Sequence, residues 1–400
     1  MYERPVLATV RQRLMESRLF LQVVIGPRQV GKTTLLGQLV DGWRARPGMM
    51  ARSVSADGVT TRGWLDQVWD DARRALAAER AVEGLLCIDE IQKIPGWRDI
   101  VTRNWDQDSR YQLPLKVVLG GSSRLLEDEG AGDSVFGRFE VHRLGHWMYR
   151  ELRDAFGLTP ERYAWFGAYP GTMGLLDDEP EFKRYVATSI IEASLNRDLF
   201  TLARIDNPAL LRRLFEVGTM YSGQALSYTT LLEQVEAGNT VTLARYAHLL
   251  DEAGLLVALD KHPTTRDRVR ASSPKFQTHN MALFSGLKQR LFGSVRADAN
   301  AWPGVVAGAV GAHLLAELTA DPWARLGYWR RSDTLVDFVM EGGERVLGIA
   351  VDEAGERGGV ASLEAFRRAV PGASTLLIGP TGLDWRQFIA QPLADVLSGL

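Results

Sequence analysis

The sequence predicts an α/β fold for its first 150 residues, with a parallel sheet between helices. Apolar, strand-like runs alternate there with segments of helical periodicity, and the runs lie at residues 21–25, 51–55, 85–88 and 116–119. A glycine-rich segment separates the first run from the helix-like residues 34–40, and two carboxylates follow the third run. Because parallel strands bring their carboxyl ends to one edge of a sheet, these two segments are expected to meet there.

The glycine-rich segment, GPRQVGKT, has the pattern GxxxxGK[ST] between a strand and a helix. This context indicates a phosphate-binding loop (P-loop), because glycines let backbone N–H groups converge on an anion at the positive end of the next helix. Lys32 is expected to reach the β- and γ-phosphates of ATP, and the Thr33 hydroxyl to hold Mg²⁺. The predicted ATP-binding residues are Gly26, Pro27, Arg28, Gln29, Val30, Gly31, Lys32, Thr33 and Thr34.

The segment GLLCIDEIQ, residues 84–92, supplies the two carboxylates. Val82 and residues 85–88 are predicted to form a buried parallel strand, with Asp89 at its carboxyl end. Asp89 would support Mg²⁺, and Glu90 would orient and polarise the water that attacks ATP. A solvated strand end is the alternative for two acids considered alone, but the P-loop favours ATP hydrolysis.

A third apolar run, LKVVLGGSS, ends in small hydroxyl residues. Ser122 is the candidate to touch the γ-phosphate or the attacking water. A plain turn explains Gly-Gly-Ser-Ser equally well.

Bulk composition limits the classes of function. Lys and Arg number 47 against 49 Asp and Glu, a net charge of −2, so any nucleic-acid-binding surface must be local. The single cysteine, Cys87, is expected to be a small buried core residue in a reducing compartment. We see no signal peptide and no apolar run long enough to span a bilayer, which predicts a cytoplasmic protein without membrane partners.

Several segments carry a family resemblance: GPRQVGKTTLL, LLCIDEIQKIPGW, VVLGGSSRLL, GRFEVHRL, GAYPG and LNRDL, followed by YWRRSDTLVDFVM and VLGIAVDE. Their order and spacing resemble prokaryotic AAA-type P-loop ATPases with a C-terminal domain of unknown function that is similar to PD-(D/E)XK nucleases. The predicted domains are an AAA-type ATPase core at 1–150, a helical subdomain at 151–215, a winged helix at 216–275 and a degenerate nuclease-like α/β domain at 276–400.

The resemblance implies an arginine that completes the ATP site of a neighbouring subunit. Arg138, in the Gly-Arg pair of GRFE, is the first candidate, and Arg197 in NRDL is the second. Such an arginine neutralises charge on the transferred phosphoryl group. A structural salt bridge is the alternative role for either residue.

Residues 216–262 have the pattern of a winged helix. A helical stripe precedes the turn EAGNT, where Asn239 can cap the next helix, and a short strand at 255–260 follows that helix. Exposed candidates on the second helix are Thr242, Arg245 and His248, and the expected wing, 261–275, carries Lys261, Arg266, Arg268, Arg270 and Lys275. In helix-turn-helix proteins this helix enters the major groove and the wing touches phosphate. A winged helix used only for packing or protein contacts is the alternative.

The nuclease-like resemblance points to Glu317, Asp337, Ala350 and Asp352 as the positions of a PD-(D/E)XK site. That site needs an acid where Ala350 stands and a lysine where Asp352 stands, because carboxylates hold Mg²⁺ and the lysine stabilises charge. Nuclease activity is therefore not expected, and the domain is predicted to serve DNA contact or assembly.

Together these features predict an AAA-type motor that hydrolyses ATP with Mg²⁺ and acts on DNA as a homo-oligomer, with a hexameric ring as the candidate assembly. An ATPase core followed by a winged helix is also the plan of Holliday-junction branch-migration motors in DNA repair, an architectural analogy. The alternative is a slow nucleotide-dependent switch that regulates a protein partner. A DNA-binding module with a vestigial nucleotide site is a third reading, which Lys32, Asp89 and Glu90 argue against.

Overall fold

The computed structural model divides the chain into two compact units, Met1–Leu144 and Gly145–Leu400. The residues that it describes are 1–59, 61–126, 137–199, 205–224, 226, 228–235, 239–263, 273–319, 321, 324–343, 345–355 and 358–398.

Unit 1 alternates helices with strands, as the sequence predicts. Its helices are α1 (Pro5–Met15), α2 (Lys32–Arg44), α3 (Gly63–Ala78) and α4 (Trp97–Arg110). Its strands are β1 (Leu21–Ile25), β2 (Met49–Ser55), β3 (Glu83–Asp89), β4 (Leu115–Gly121) and β5 (Phe139–Arg143). Short 3₁₀ turns follow β3 and β4, at Ile91–Lys93 and Ser123–Leu126.

The five strands form one parallel sheet in the order β2-β3-β4-β1-β5. The α/β class and the four strands predicted from apolar runs are confirmed. The edge strand β5 is one that apolar periodicity did not predict, because its burial is only partial. β4 lies between β1 and β3, so it separates the strand that leads into the P-loop from the strand that ends in Asp89.

Two apolar cores cover the two faces of this sheet. Alternate residues of β1 face opposite sides: Val23 packs in the cluster with α3 and α4, and Val24 packs in the cluster with α1 and α2. Val82 departs from the prediction. It lies just before β3 and is 66% exposed, because buried pairing begins only inside the strand.

The N-terminal half of unit 2 is helical. Its helices are α5 (Tyr149–Phe156), α6 (Pro160–Phe166), α7 (Glu179–Tyr185), α8 (Pro208–Met220), α9 (Tyr228–Val235) and α10 (Thr240–Glu252). A 3₁₀ segment lies at Pro170–Leu175, and π-helical segments lie at Val186–Ile191 and Ser194–Leu199. The predicted cap of α10 is present, since the Asn239 side chain accepts a hydrogen bond from the Thr242 amide at 2.9 Å.

An antiparallel pair follows α10, made by β6 (Leu256–Leu259) and β7 (Lys275–Thr278). Three helices followed by a two-stranded ribbon is the element order of a winged helix. Between the two strands, residues 264–272 lie outside the described part of the chain, and they include Arg266, Arg268 and Arg270.

The C-terminal part of unit 2 is built around a second sheet. Helices α11 (Met281–Leu287), α12 (Phe292–Arg296) and α13 (Trp302–Leu318) precede β8 (Arg325–Arg331), β9 (Thr334–Gly342) and β10 (Arg345–Val351). Then come α14 (Gly359–Ala369), β11 (Ser374–Ile378), α15 (Trp385–Ala390) and α16 (Leu393–Ser398). The sheet order is β11-β10-β9-β8; β8, β9 and β10 are antiparallel neighbours, and β11 runs parallel to β10.

Membrane insertion finds no support in the helices. Within the described ranges, none is both long and apolar enough to cross a bilayer.

A buried carboxylate ties α3 to α4 behind the sheet. Asp108 is fully buried, and it accepts hydrogen bonds of 2.7 Å from Trp69 Nε1 and from Arg73 Nε. Asp108→Ala would leave both donors without this partner in a nearly dry site. We expect it to lower the free energy of unfolding by about 3–5 kcal/mol, measured from urea denaturation of the full chain. Asp70→Ala is the matched control, because exposed Asp70 also pairs with Arg73, at 2.9 Å, and should cost under about 1 kcal/mol. Equal losses for the two variants would contradict this account.

Candidate functional site

The loop between β1 and α2 has the backbone shape of an anion-binding site. Gln29 and Gly31 both have positive φ, of 61° and 98°. Gly31 is also the N-cap of α2, so the first-turn N–H groups of that helix open towards the loop. Residues with positive φ within a tight turn make successive backbone N–H groups converge, which is the geometry that binds phosphate.

Gly26 occupies a position that has no room for a side chain. A Cβ atom there would lie 2.1 Å from the Leu144 carbonyl oxygen. Leu144 comes directly after β5 and donates its N–H to the Ile25 carbonyl at 2.7 Å. The loop therefore begins in direct backbone contact with the end of the neighbouring strand.

The Lys32 ammonium folds over the same loop. Its Nζ donates to the carbonyl oxygens of Gly26 and Pro27, at 2.8 and 2.6 Å, and the residue is only 8% exposed. A buried cation beside converging amides makes the loop electropositive, as phosphate binding requires.

Thr33 joins the P-loop to the acidic strand. Its hydroxyl donates to Asp89 Oδ2 at 2.6 Å, and Asp89 is 5% exposed at the end of β3. The hydroxyl oxygen keeps its lone pairs for a cation while its proton is held by Asp89. These two predicted magnesium residues thus meet across the sheet.

Gly120, on the intervening strand β4, makes that meeting possible. A Cβ atom at this position would lie 2.7 Å from Asp89 Oδ1 and 2.7 Å from a methyl of Leu36. A larger residue would displace either the carboxylate or the first turns of α2. In the sequence this glycine is only part of the turn signal Gly-Gly-Ser-Ser.

Glu90 lies immediately beyond Asp89 in a left-handed conformation, with φ 55°. Its carboxylate accepts a 2.8 Å hydrogen bond from Gln92 Nε2, and Lys93 Nζ lies 3.7 Å from the same oxygen. Lys93 also pairs with Asp57, and that hydrogen bond lowers the pKa of Asp57. Glu90 is therefore held by neighbours on its own short turn, an arrangement that the strand pattern did not reveal.

Two buried polar atoms at this edge indicate that the site is built for a ligand. Ser122 Oγ and Gln92 Oε1 are both buried, and neither has a hydrogen-bond partner among the described residues. Buried polar groups are normally paired, and leaving one unpaired costs about 1–3 kcal/mol. With the curved loop, Lys32 and the Thr33–Asp89 pair, these atoms fit a nucleotide and its Mg²⁺.

Cys87 lies in β3, fully buried two residues before Asp89. Burial raises the pKa of its thiol above the usual range, and the nearby Asp89 carboxylate raises it further. The thiol is thus an inert core group, as expected.

Arg138 lies near the amino-terminal ends of the strands, whereas its own P-loop lies at their carboxyl ends. It precedes Phe139, which pairs with Leu21, whereas the loop follows Ile25. The five residues of β1 span about 16 Å at about 3.3 Å each. Here Arg138 makes two hydrogen bonds to Asp106, of 3.0 and 3.1 Å.

Two other arginines bear on the same role. The Arg197 side chain lies outside the described part of the structure, so its candidacy stays a prediction. Arg143, which sequence reasoning missed, is exposed and pairs with Ile25 at the P-loop edge. It is the last residue of the edge strand β5 and lies within GRFEVHRL, where the Gly-Arg pair points to Arg138 alone.

The candidate DNA residues on α10 differ in exposure. Arg245 and His248 are exposed; Arg245 forms an ion pair with Asp206 at 3.0 Å, and His248 Nε2 lies 2.8 Å from Glu252 Oε1. Thr242 is half-buried.

Lys275 requires a correction. The prediction placed it in the exposed wing, but it is fully buried in β7. Its Nζ donates to the Asp337 carbonyl at 2.7 Å and lies 3.5 Å from Asp337 Oδ1. A lysine enclosed in this way cannot reach a DNA phosphate.

The nuclease-like positions are only partly brought together. Asp337, Ala350 and Asp352 line one cavity of about 520 Å³, whereas Glu317 lines another and pairs with Arg150. Asp337 Oδ2 accepts from the Val351 amide at 2.8 Å, and Asp352 Oδ2 from the Gly359 amide at 3.2 Å. Across the described ranges, no group of three or more His, Cys, Asp or Glu residues is arranged to hold a metal.

Comparisons with known proteins give two matches to family models. Residues 20–153 match the model described as an AAA domain, and residues 159–291 match a domain of unknown function. No curated protein matches the chain.

Three similar solved structures are Orc1 of Aeropyrum pernix in complex with DNA, RuvB of Thermotoga maritima and Cdc6p of Pyrobaculum aerophilum. Orc1 is 14% identical, with 74% of this chain and 94% of that chain covered and a TM-score of 0.35. RuvB is 17% identical, with 64% of this chain and 86% of that chain covered and a TM-score of 0.33. Cdc6p is 11% identical, with 63% of this chain and 85% of that chain covered and a TM-score of 0.31. Similarities this low carry no functional argument. The match of residues 20–153, together with the parallel sheet, shows that this chain contains an AAA domain.

Proposed function

We propose that the AAA domain binds ATP with Mg²⁺ and hydrolyses it. The observation that carries this proposal is the 2.6 Å hydrogen bond from the Thr33 hydroxyl to Asp89, which brings the P-loop and the acidic strand into one site. Mg²⁺ held there would neutralise charge on the β- and γ-phosphates. Glu90, one residue beyond Asp89, is the general base that orients and polarises the attacking water.

The remaining residues of the site have complementary roles. The backbone N–H groups of residue 26 and residues 28–34, together with the Lys32 ammonium, bind the phosphates, since they are the donors and the buried cation of the loop. Ser122, whose buried hydroxyl has no partner among the described residues, contacts the γ-phosphate or the water.

The second part of the proposal is that hydrolysis is coupled to DNA. Its support is the winged-helix element order and the exposed Arg245 and His248 on α10. With a net charge of −2, the chain has no general attraction to DNA, so contact must come from this helix and from Arg266, Arg268 and Arg270. Branched DNA, including four-way junctions, is the first substrate to test.

The third part concerns assembly. Arg138 is a strand length away from its own P-loop, so it would complete an ATP site only in a neighbouring copy. This geometry favours a closed homo-oligomer, with a hexameric ring as the candidate, in which Arg138 exchanges Asp106 for phosphate.

A slow nucleotide-dependent switch that regulates a protein partner is the second candidate function. The position of Lys93 favours it: its ammonium lies 3.7 Å from the Glu90 carboxylate, and a carboxylate paired with a cation polarises water poorly. The two functions differ in their response to DNA: the turnover of a motor rises with DNA, whereas the turnover of a switch does not. No nuclease activity is proposed for the cavity that contains Asp337.

Hydrolysis is tested first at Glu90. Glu90→Gln keeps the shape of the side chain but loses its charge, so we expect ATP binding to persist and turnover to fall about 10²-fold or more. Lys32→Ala should lose binding as well. Fluorescent-nucleotide titration and phosphate release measure the two effects. Glu83→Gln, the same change at the opposite end of β3, is the control and should hydrolyse ATP like wild type; normal turnover in Glu90→Gln rules out this assignment.

Completion of the site by a neighbour is tested by mixing variants. Arg138→Ala should bind ATP but hydrolyse it poorly, since its own P-loop is intact. Mixed with Lys32→Ala, it should regain part of its activity, because some interfaces then pair an intact loop with an intact arginine. Phosphate release across mixing ratios, with subunit exchange followed by fluorescence transfer, reports the rescue. Asp106→Ala, which removes the two hydrogen bonds between Arg138 and Asp106, should retain turnover. Failure of rescue while subunits exchange would count against action in trans.

DNA contact is tested through its salt dependence. Each phosphate neutralised contributes a slope of about −0.9 in log K against log salt. Arg245→Ala should weaken binding and flatten the slope by about one unit, and the triple change of Arg266, Arg268 and Arg270 to Ala by roughly one to three units. Fluorescence anisotropy on duplex, forked and four-way DNA measures this. Arg74→Ala, an exposed helical arginine of unit 1 that pairs with Asp71, is the control. If wild type binds no DNA at low salt with ATP, the motor function is excluded and the switch is favoured.

A further inference from the structure

Gln92 contacts Glu90 through one end of its side-chain amide only. The Nε2 group donates to Glu90 Oε2 at 2.8 Å, whereas Oε1 is buried without a hydrogen-bond partner in the described ranges. Gln92 lies on the 3₁₀ turn Ile91–Lys93, directly after the left-handed Glu90. Two residues apart in such a turn, the two side chains are held side by side.

The unpartnered end of this amide lies against β4. A Cβ atom at Gly121 would be 2.8 Å from Gln92 Oε1, so the glycine leaves the room that the amide occupies. Gly121 pairs with Ile25, the last residue before the P-loop, and precedes Ser122. Ser122 Oγ is the second buried and unpartnered polar atom of this edge. Gln92 thus bridges Glu90 and Gly121, the last residue of β4 and the chain neighbour of Ser122.

We propose that Gln92 is a positioning residue: its amide N–H orients the Glu90 carboxylate, and its amide oxygen, against Gly121, couples that carboxylate to the end of β4. This inference rests on the proposed ATP hydrolysis and adds a specific residue to it. The contact fixes the direction in which the Glu90 carboxylate faces the attacking water.

The coupling predicts effects on turnover rather than on binding. Gln92→Ala should lower kcat about 10- to 100-fold, the range for residues that orient a reacting group through a hydrogen bond, while KM and fluorescent-nucleotide affinity stay near wild type. Gln92→Glu is isosteric, but its carboxylate offers no N–H to Glu90, so it should lower kcat as Gln92→Ala does. A purely structural role would let this isosteric variant hydrolyse ATP like wild type.

A double-mutant cycle with Gly121 isolates the contact. Gly121→Ala places a methyl against Gln92 Oε1 and should lower kcat in the wild-type background. In the Gln92→Ala background the same change should have little effect, since the group that it displaces is gone. Its other neighbour, the Leu125 side chain, is present in both backgrounds, so that contribution cancels. Gln107→Ala, an exposed glutamine of α4, is the control and should match wild type.

The outcomes separate this inference from the function on which it rests. Absence of ATP turnover in the full-length wild type, with and without DNA, overturns both. Wild-type turnover together with normal kcat in both Gln92→Ala and Gln92→Glu overturns the positioning role alone. Equal effects of Gly121→Ala in both backgrounds also overturn it. Circular dichroism and retained nucleotide binding verify that each variant is folded.

Discussion

The Thr33–Asp89 hydrogen bond crosses a strand, and the rest of the candidate site depends on this crossing. β4 lies between the strand that feeds the P-loop and the strand that ends in Asp89. The bond is possible only because residue 120 is glycine, where a side chain would meet both the Asp89 carboxylate and Leu36. Gly26 meets a similar constraint against Leu144 on the other side of β1. Glycines at these two positions thus allow the close contacts on both sides of β1 that form the site.

The position of Glu90 explains how one site is compatible with either a motor or a switch. Its backbone is left-handed, a conformation that costs a non-glycine residue energy and persists only where the surroundings impose it. Its carboxylate is held by Gln92 and lies near Lys93, which also pairs with Asp57. In the proposed hydrolysis, the orientation of Glu90 would depend on these neighbours as well as on its own backbone conformation.

In unit 2, burial gives a charged residue a structural role in place of a surface one. Lys275 is enclosed against Asp337, with its ammonium 4.1 Å from the centre of the Phe338 ring. A buried cation needs such partners, because desolvation penalises an isolated charge. The lysine thus ties the β6–β7 ribbon to β9. Backbone amides donate one hydrogen bond each to the carboxylates of Asp337 and Asp352, which line one cavity.

The sequence by itself determined the parallel α/β sheet, the P-loop and the two acids after β3, because each depends on local order: an apolar run, a glycine turn and a helix start. The capping of α10 by Asn239 was predictable for the same reason. Only the tertiary structure decided that Val82 is exposed, that Lys275 is buried and that Gln92 holds Glu90. It also decided that Arg138 lies at the opposite end of β1 from its own P-loop while Arg143 lies beside that loop. These features depend on which strands are neighbours and which groups lose water, and residues distant in the chain set both.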